Sequence, residues 1–200
     1  TLAAGDVPPD QEARFIEAIQ ANAQRMQQIV DDVLDLSRIE SGGWVPNPVA
    51  VDLRAVASEV SAGRLRAALE KGVRLTVEIC TGAETAFADP TAIRQVYANL
   101  ADNAIRHTNA GGSIVMFSER AEHGTTIGVR DTGVGIAPEH LSRIFERFYR
   151  ADSGRARDAG GTGLGLAIVR HLVEAHRGRV QVQSVVGEGT TVSAYFPDPG

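Results

Sequence analysis

A glycine-rich stretch, GGTGLGL at residues 160–166, opens directly into an apolar run. The run from Leu166 to His176 has helical periodicity, because Leu164, Ile168 and Leu172 share one face. A glycine-rich turn before a helix leaves backbone N–H groups unpaired at the helix N-terminus, where the helix dipole favours an anion such as phosphate. The same pattern also occurs as a flexible connection, so phosphate binding is at this point only a hypothesis.

Two familiar glycine motifs do not fit this stretch. A P-loop ends its glycine run with Lys followed by Ser or Thr, and residues 164–166 contain neither. A dinucleotide-binding fingerprint follows the first strand of a βαβ unit and has an acidic residue about 20 residues further on. Glu188 lies near that distance, but within a glycine turn close to the end of the sequence.

Composition narrows the class of protein. The net charge of −5 over 200 residues argues against a general nucleic-acid binder. The single cysteine, Cys80, lies in an apolar strand pattern, which excludes an internal disulfide and favours a reducing, cytoplasmic compartment. No apolar run is long enough to cross a membrane, so we expect no membrane contact by this chain. The first residue is not Met, which indicates a fragment and leaves open a membrane anchor in a missing N-terminal region of the parent protein.

Residues 11–40 are predicted to form one long helix. Its apolar residues alternate four and three positions apart, with one Asn among them: Phe15, Ile19, Asn22, Met26, Ile29, Val33 and Leu36. A seam sustained in this way indicates pairing with other helices, either in a homodimer or within the chain. The alternative is a helix that packs against the following domain.

The remainder of the chain alternates between predicted helices and strands. No strand-like alternation is visible around Val51, and a helix is predicted over residues 53–68. Asp89-Pro90 is a helix-start signal for a helix that runs to about His107. Strands are predicted at residues 73–79, 113–119, 125–131, 179–184 and 190–196.

Four polar residues form a second face of the helix that begins at Pro90. Asn99, Asn103, Arg106 and His107 lie at positions i, i+4, i+7 and i+8. Such a face is usually solvated, but two asparagines in mid-helix are poor helix formers. Amide oxygens, a cation and an imidazole together suit a metal–phosphate site.

A carboxylate and an aromatic cluster complete the candidate chemistry. Asp131 ends a predicted strand within DTGVGI, where glycines let the backbone approach a ligand closely and the carboxylate can accept a hydrogen bond from an exocyclic amine. An aromatic and basic cluster, IFERFYR, covers residues 144–150. The small and polar residues 151–160 then predict a mobile segment.

In this order the motifs resemble the catalytic and ATP-binding domain of bacterial sensor histidine kinases, which is of the Bergerat or GHKL type. The match spans about Val51 to Pro197. Five segments resemble motifs of the family. Residues 99–107 resemble the N box, residues 131–136 the first glycine box and residues 144–150 the F box. Residues 161–169 resemble the second glycine box and residues 187–192 the last glycine motif.

The resemblance implies an α/β fold, namely a two-layer α/β sandwich with a mixed sheet covered by helices and preceded by a long dimerisation helix. ATP would lie between the helices and a lid over residues 137–160. Residues 1–43 would be part of a dimerisation and histidine phosphotransfer hairpin, residues 44–50 a linker, and residues 51–197 the ATP-binding domain. The implied activity is transfer of the ATP γ-phosphate to a histidine for relay to a response regulator aspartate.

Site roles follow from the resemblance residue by residue. Asn103 would ligate Mg²⁺, and the catalytic group would be Asn99, Arg106 and Arg150. Asp131 would accept a hydrogen bond from the adenine amino group. The implied nucleotide-binding residues are Asn99, Asn103, Arg106, His107, Asp131, Gly133, Gly135, Ile136, Tyr149, Arg150, Gly161, Thr162, Gly163, Leu164, Gly165, Leu166 and Thr190.

The sequence departs from the family at the phosphoacceptor. LDLSRIESG at residues 34–42 resembles the second hairpin helix, with residues 1–2 as the tail of the first helix and residues 5–10 as the turn. The family's acceptor histidine lies on the first helix, directly before an acidic residue. The histidines present, at 107, 123, 140, 171 and 176, have no such setting. The expected partners are therefore a second copy, a separate histidine-bearing hairpin of the full-length protein, and a response regulator receiver domain.

Two other functions remain open. Related ATPases of the gyrase and chaperone type have a water-activating Glu four residues before the metal-binding Asn, a position that Asn99 occupies here. A non-catalytic module that senses ATP would be favoured by a damaged N box or first glycine box, and both are intact.

Overall fold

The computed structural model describes residues 9–41, 43–151 and 161–199. The helices are α1 (Pro9–Glu40), α2 (Leu53–Glu70), α3 (Pro90–His107), α4 (Pro138–Leu141) and α5 (Gly165–Ala175). The strands are β1 (Val49–Asp52), β2 (Arg74–Ile79), β3 (Thr85–Ala88), β4 (Ser113–Ala121), β5 (Gly124–Asp131), β6 (Arg179–Val185) and β7 (Gly189–Pro197).

The principal sheet has five strands in the order β2-β4-β5-β7-β6. β2 and β4 are parallel, and the other neighbours are antiparallel. The chain passes through β3 and α3 between β2 and β4, because a parallel pair requires a long crossover. β1 and β3 form a separate two-stranded antiparallel sheet.

The core lies between one face of this sheet and the helices α2, α3 and α5. α3 contributes the fully buried Ile93, Val96 and Tyr97, and the sheet contributes Ile114 and Phe196 among others. The sheet is thus mixed and covered by helices, which confirms the predicted two-layer α/β architecture.

α1 has exposed apolar side chains along much of its length and a docked face near its C-terminal end. Phe15, Ile19 and Met26 are 47%, 57% and 68% exposed. Near the other end of the helix, Leu36 is only 5% exposed and belongs to the core, where α1 packs against α5. The alternative of packing against the following domain is therefore confirmed for the Leu36 end, and pairing of the exposed apolar residues with another helix stays a prediction.

The short strands differ most from the prediction. β1 already includes Val49 and Ala50, which the sequence assigned to the linker, and β3 was not predicted. Both strands have only four residues, too few for an alternating pattern to be visible. Cys80 follows the end of β2 and is exposed, so its predicted place inside an apolar strand was wrong. The predicted tail of the first hairpin helix, most of the predicted turn and residues 152–160 lie outside the described residues.

Candidate nucleotide-binding site

A cavity of about 330 Å³ lies beside α3, β5 and the start of α5, within the size range of small-molecule sites. Apolar side chains form part of its wall, among them Leu100, Val129, Ile144 and Val192. Polar groups from separate parts of the chain converge on it. This combination of an apolar wall and a few placed polar groups is characteristic of binding sites for organic ligands.

The polar stripe of α3 faces this cavity. Because the apolar residues of α3 are buried in the core, Asn99, Asn103, Arg106 and His107 are turned toward the open side. Arg106 Nη1 donates to Asn103 Oδ1 over 3.1 Å, so these two side chains are held together. The stripe is therefore a lining of the cavity and not merely a solvated face.

Both ends of α3 are fixed by polar side chains. Asp89 caps the N-terminus, where its Oδ1 accepts from the Thr91 N–H at 2.8 Å. Lys71 Nζ donates to the carbonyls of Ile105 and Arg106 at the C-terminus. Burial and the nearby Arg106 guanidinium lower the pKa of Lys71. The two Lys71 contacts hold the last turn of α3, from which Arg106 and His107 project.

Asp131 ends β5 and also lines the cavity. Its Oδ1 accepts from the Gly133 N–H at 2.8 Å. Burial raises the pKa of Asp131, although hydrogen bonds from the Gly133 and Thr190 backbone act in the opposite direction. Gly135 has φ of +70°, and a Cβ there would collide with the Val185 carbonyl, so the turn after Asp131 requires glycine at this position.

The glycine-rich turn packs against α3. Gly163 has φ of +73°, and a Cβ there would lie 2.9 Å from Phe148 Cα. A Cβ on Gly161 would lie 3.0 Å from Arg106 Nη1, and one on Gly165 would lie 3.0 Å from Asn99 Oδ1. The turn and the polar stripe thus meet, and both line the cavity at that point.

The segment before the glycine-rich turn contributes an aromatic side chain. Tyr149 lines the cavity, and its hydroxyl is hydrogen-bonded to His140 Nδ1 at 2.6 Å. The Arg143 guanidinium lies 4.3 Å from the centroid of the Tyr149 ring. Arg150, the next residue, also lines the cavity.

Of the residues predicted from the sequence, all but two lie on the cavity wall. The exceptions are Gly133, whose N–H donates to Asp131 Oδ1, and Leu164, which is fully buried. In the described part of the chain, no cluster of three or more His, Cys, Asp or Glu residues is arranged to hold a metal. A magnesium ion at Asn103 would therefore depend on the phosphates of its nucleotide for further oxygen ligands.

Residues 88–200 match the family model described as histidine kinase-, DNA gyrase B- and HSP90-like ATPase. The chain belongs to this ATPase family. Residues 1–42 match a second model, the His Kinase A (phospho-acceptor) domain. This pair of domains places the chain among bacterial sensor histidine kinases.

Individual relatives agree with this family assignment. The phosphate regulon sensor protein PhoR of Pseudomonas aeruginosa is 37% identical over 190 residues, which cover 92% of this chain and 41% of PhoR. The chain thus spans about two fifths of that relative.

Solved structures show the same fold. Full-length ShkA in complex with AMPPNP has a TM-score of 0.80 and 28% identity, covering 98% of this chain and 41% of ShkA. The histidine kinase ThkA in complex with the response regulator protein TrrA has a TM-score of 0.78 and 23% identity, covering 98% of this chain and 54% of ThkA. Among the described residues, no helix combines the length and apolarity needed to span a membrane.

The sequence analysis did not predict that polar residues of α1 would line the cavity. Gln28 and Asp32 lie on α1, yet both line the cavity. Asp32 Oδ2 accepts from the Thr162 hydroxyl at 2.7 Å, and its Oδ1 accepts from Gln28 Nε2 at 2.7 Å. Nothing in the local sequence marks Asp32, because its role depends on the docking of α1 against α5.

Proposed function

We propose that this chain binds Mg-ATP in the cavity and transfers the γ-phosphate to a histidine, as the catalytic part of a two-component sensor kinase. The observation that carries this proposal is the convergence of Asp131, the α3 stripe and the glycine-rich turn on one cavity. Phosphoryl transfer requires mainly positioning and positive charge near the phosphates, and little covalent chemistry from the protein.

The base of the nucleotide is assigned to the Asp131 end. Its carboxylate accepts from the adenine amino group, and the tight turn at Gly135 lets the backbone approach the ring. Gly133 acts indirectly, since its N–H holds Asp131 Oδ1. The apolar wall, including Val129 and Val192, covers the faces of the base.

The phosphates are assigned to the opposite end, between α3 and the glycine-rich turn. Asn103 is the proposed Mg²⁺ ligand, with Asn99 beside it, and Arg106 and Arg150 supply positive charge. When bound, Mg²⁺ neutralises charge on the phosphate oxygens and orients them. In the transfer, a bond forms between an acceptor histidine nitrogen and the γ-phosphorus, the bond to the bridging oxygen breaks, and ADP leaves.

We propose that the acceptor is supplied by a histidine-bearing hairpin of the full-length protein. Residues 1–42 match the phospho-acceptor domain but contain no histidine. The exposed apolar seam of α1 supports a homodimer, and the complex of ThkA with TrrA supports a response regulator as the downstream partner.

The two alternatives make different predictions. A hydrolytic ATPase needs a group that activates water, and Asn99, which occupies the corresponding position, is not a base. We therefore expect slow hydrolysis. A non-catalytic ATP sensor would bind nucleotide equally well and would transfer no phosphate.

Calorimetric titration with ATP, with and without Mg²⁺, tests the nucleotide assignment. We expect Mg²⁺ to tighten ATP binding to the wild type, and Asn103→Ala to weaken Mg-ATP binding by about tenfold or more, as is usual when a metal site loses a group. Asn109→Ala is the matched control, because it removes the same amide from an exposed position just beyond α3. A fully retained Mg²⁺ effect in Asn103→Ala would contradict the metal assignment.

A further inference from the structure

Asp32 joins the N-terminal helix to the glycine-rich turn of the nucleotide site. The residue is only 6% exposed, and both of its carboxylate oxygens are hydrogen-bonded. The Thr162 hydroxyl donates to Asp32 Oδ2 at 2.7 Å, and the same hydroxyl accepts the Leu164 N–H at 3.1 Å. A continuous chain of hydrogen bonds therefore runs from α1 to the backbone at the start of α5.

This chain engages groups that the proposed function assigns to phosphate. The proposed phosphate site includes the hydroxyl and amide groups of residues 161–166, which lead into the N-terminus of α5. In the structure, the Thr162 hydroxyl of this turn donates to the carboxylate of Asp32. The Leu164 N–H is likewise directed to the Thr162 oxygen and not into the cavity.

Repulsion between like charges disfavours the presence of the Asp32 carboxylate and of nucleotide phosphates at this site at the same time. Asp32 lines the same cavity as Asn103 and Arg106, so nucleotide phosphates there would lie close to a negative charge. Because Asp32 is buried, solvent screens this repulsion less than it would screen an exposed pair. Docking of α1 therefore places a like charge beside the phosphate site.

We propose that Asp32 determines nucleotide affinity, because its carboxylate competes with the phosphates of ATP for Thr162 and the glycine-rich turn. Docking of α1 through Asp32 and tight binding of ATP then oppose each other. By thermodynamic linkage, ATP must loosen the docked end of α1 by the same factor by which docking weakens ATP binding. This inference rests on the proposed function, since it assumes that the cavity binds ATP.

The test compares Asp32→Asn with Asp31→Asn. Asp31 is the adjacent residue on α1, is exposed and accepts from Gln27 Nε2 at 3.0 Å, so its substitution removes the same charge without touching Thr162. The Asp32→Asn substitution removes the negative charge, and it leaves only an uncharged amide oxygen, which accepts the Thr162 hydrogen bond less strongly than a carboxylate and so competes less with phosphate. Each protein is titrated with Mg-ATP by calorimetry and with adenosine by ligand-observed NMR.

We expect Asp32→Asn to bind Mg-ATP about fivefold more tightly or better, the lower end of usual coupling between linked sites. Adenosine carries no phosphate, so its affinity should be unchanged, which a general change in folding would not produce. Asp31→Asn should match the wild type for both ligands.

Several outcomes would overturn the inference. If the wild type binds Mg-ATP and Asp32→Asn binds it equally or less tightly, Asp32 does not compete with phosphate. Equal tightening by Asp31→Asn would show a general effect of charge on α1. If neither protein binds Mg-ATP, the proposed function itself fails, and this inference fails with it.

Discussion

The charge of Asp131 is unfavourable for folding, whereas in the proposed nucleotide site it favours binding. Its pKa is raised because burial disfavours the carboxylate more than the Gly133 and Thr190 N–H groups favour it. A group with a raised folded-state pKa contributes stability below its unfolded pKa and loses that contribution as the pH rises through the folded pKa. At neutral pH, the ionised side chain therefore lowers the free energy of unfolding.

Asp131→Asn should therefore have different effects on ATP binding and on the free energy of unfolding. We expect ATP binding to weaken by about 1.5 to 3 kcal/mol, the usual value for a lost hydrogen bond to a charged group. The free energy of unfolding at pH 7 should be unchanged or higher, and any gain should shrink as the pH falls below the unfolded pKa. Calorimetry and urea denaturation at two pH values measure the two quantities.

Glu188→Gln serves as the control for Asp131→Asn, because it removes an exposed carboxylate from the turn between β6 and β7. Unchanged ATP affinity in Asp131→Asn would show that Asp131 does not bind the nucleotide. A clear loss of stability at pH 7 would instead contradict the electrostatic argument.

An individual site residue can be predicted from the sequence when it belongs to a local pattern. Asn99 and Asn103 stand out because asparagine is unfavourable in mid-helix, and Gly163 because it precedes an apolar helix. Asp32 has no such signal, because its contact with Thr162 spans 130 positions of sequence. A contact of that kind depends on tertiary packing alone.

The length of a helix or strand determines whether it can be predicted from the sequence. The long helices α1, α2 and α3 follow from periodicity and, for α3, from the Asp89-Pro90 start signal. The strands β1 and β3 exist because they pair with each other, through contacts such as that of Val51 with Ala86. Neither strand is long enough to display its pattern alone.

The exposed seam of α1 predicts weak self-association. Ile19→Asp should weaken it, because this residue is 57% exposed within the seam and a charge there would be buried between paired helices. Sedimentation equilibrium over a range of protein concentrations measures the effect. Gln20→Asp adds the same charge at the neighbouring exposed position and should have little effect. A strict monomer at high concentration in the wild type would contradict a dimerisation role for α1.

In the whole molecule, the sheet brings distant segments to one place. β4 and β5 bring Asp131 back beside the end of α3, and β6 and β7 return the chain so that Thr190 pairs with Asp131. The order of motifs in the sequence indicates the family, but the docking of α1 against α5 appears only in the structure. The same helix thus carries an exposed apolar seam and, through Gln28 and Asp32, lines the proposed nucleotide site.

We propose that this chain donates the γ-phosphate of ATP to a histidine outside residues 1–42. The direct measurement is incubation with γ-labelled ATP and a separately purified histidine-bearing hairpin of the full-length protein. We predict acid-labile, base-stable label on the hairpin, none on its His→Gln variant and none on this chain alone. Transfer should be slow, because the acceptor is not tethered in position. Absence of label on the hairpin would contradict phosphoryl transfer to it and favour an ATP-sensing scaffold. Stable label on this chain alone would show that the acceptor lies within this chain.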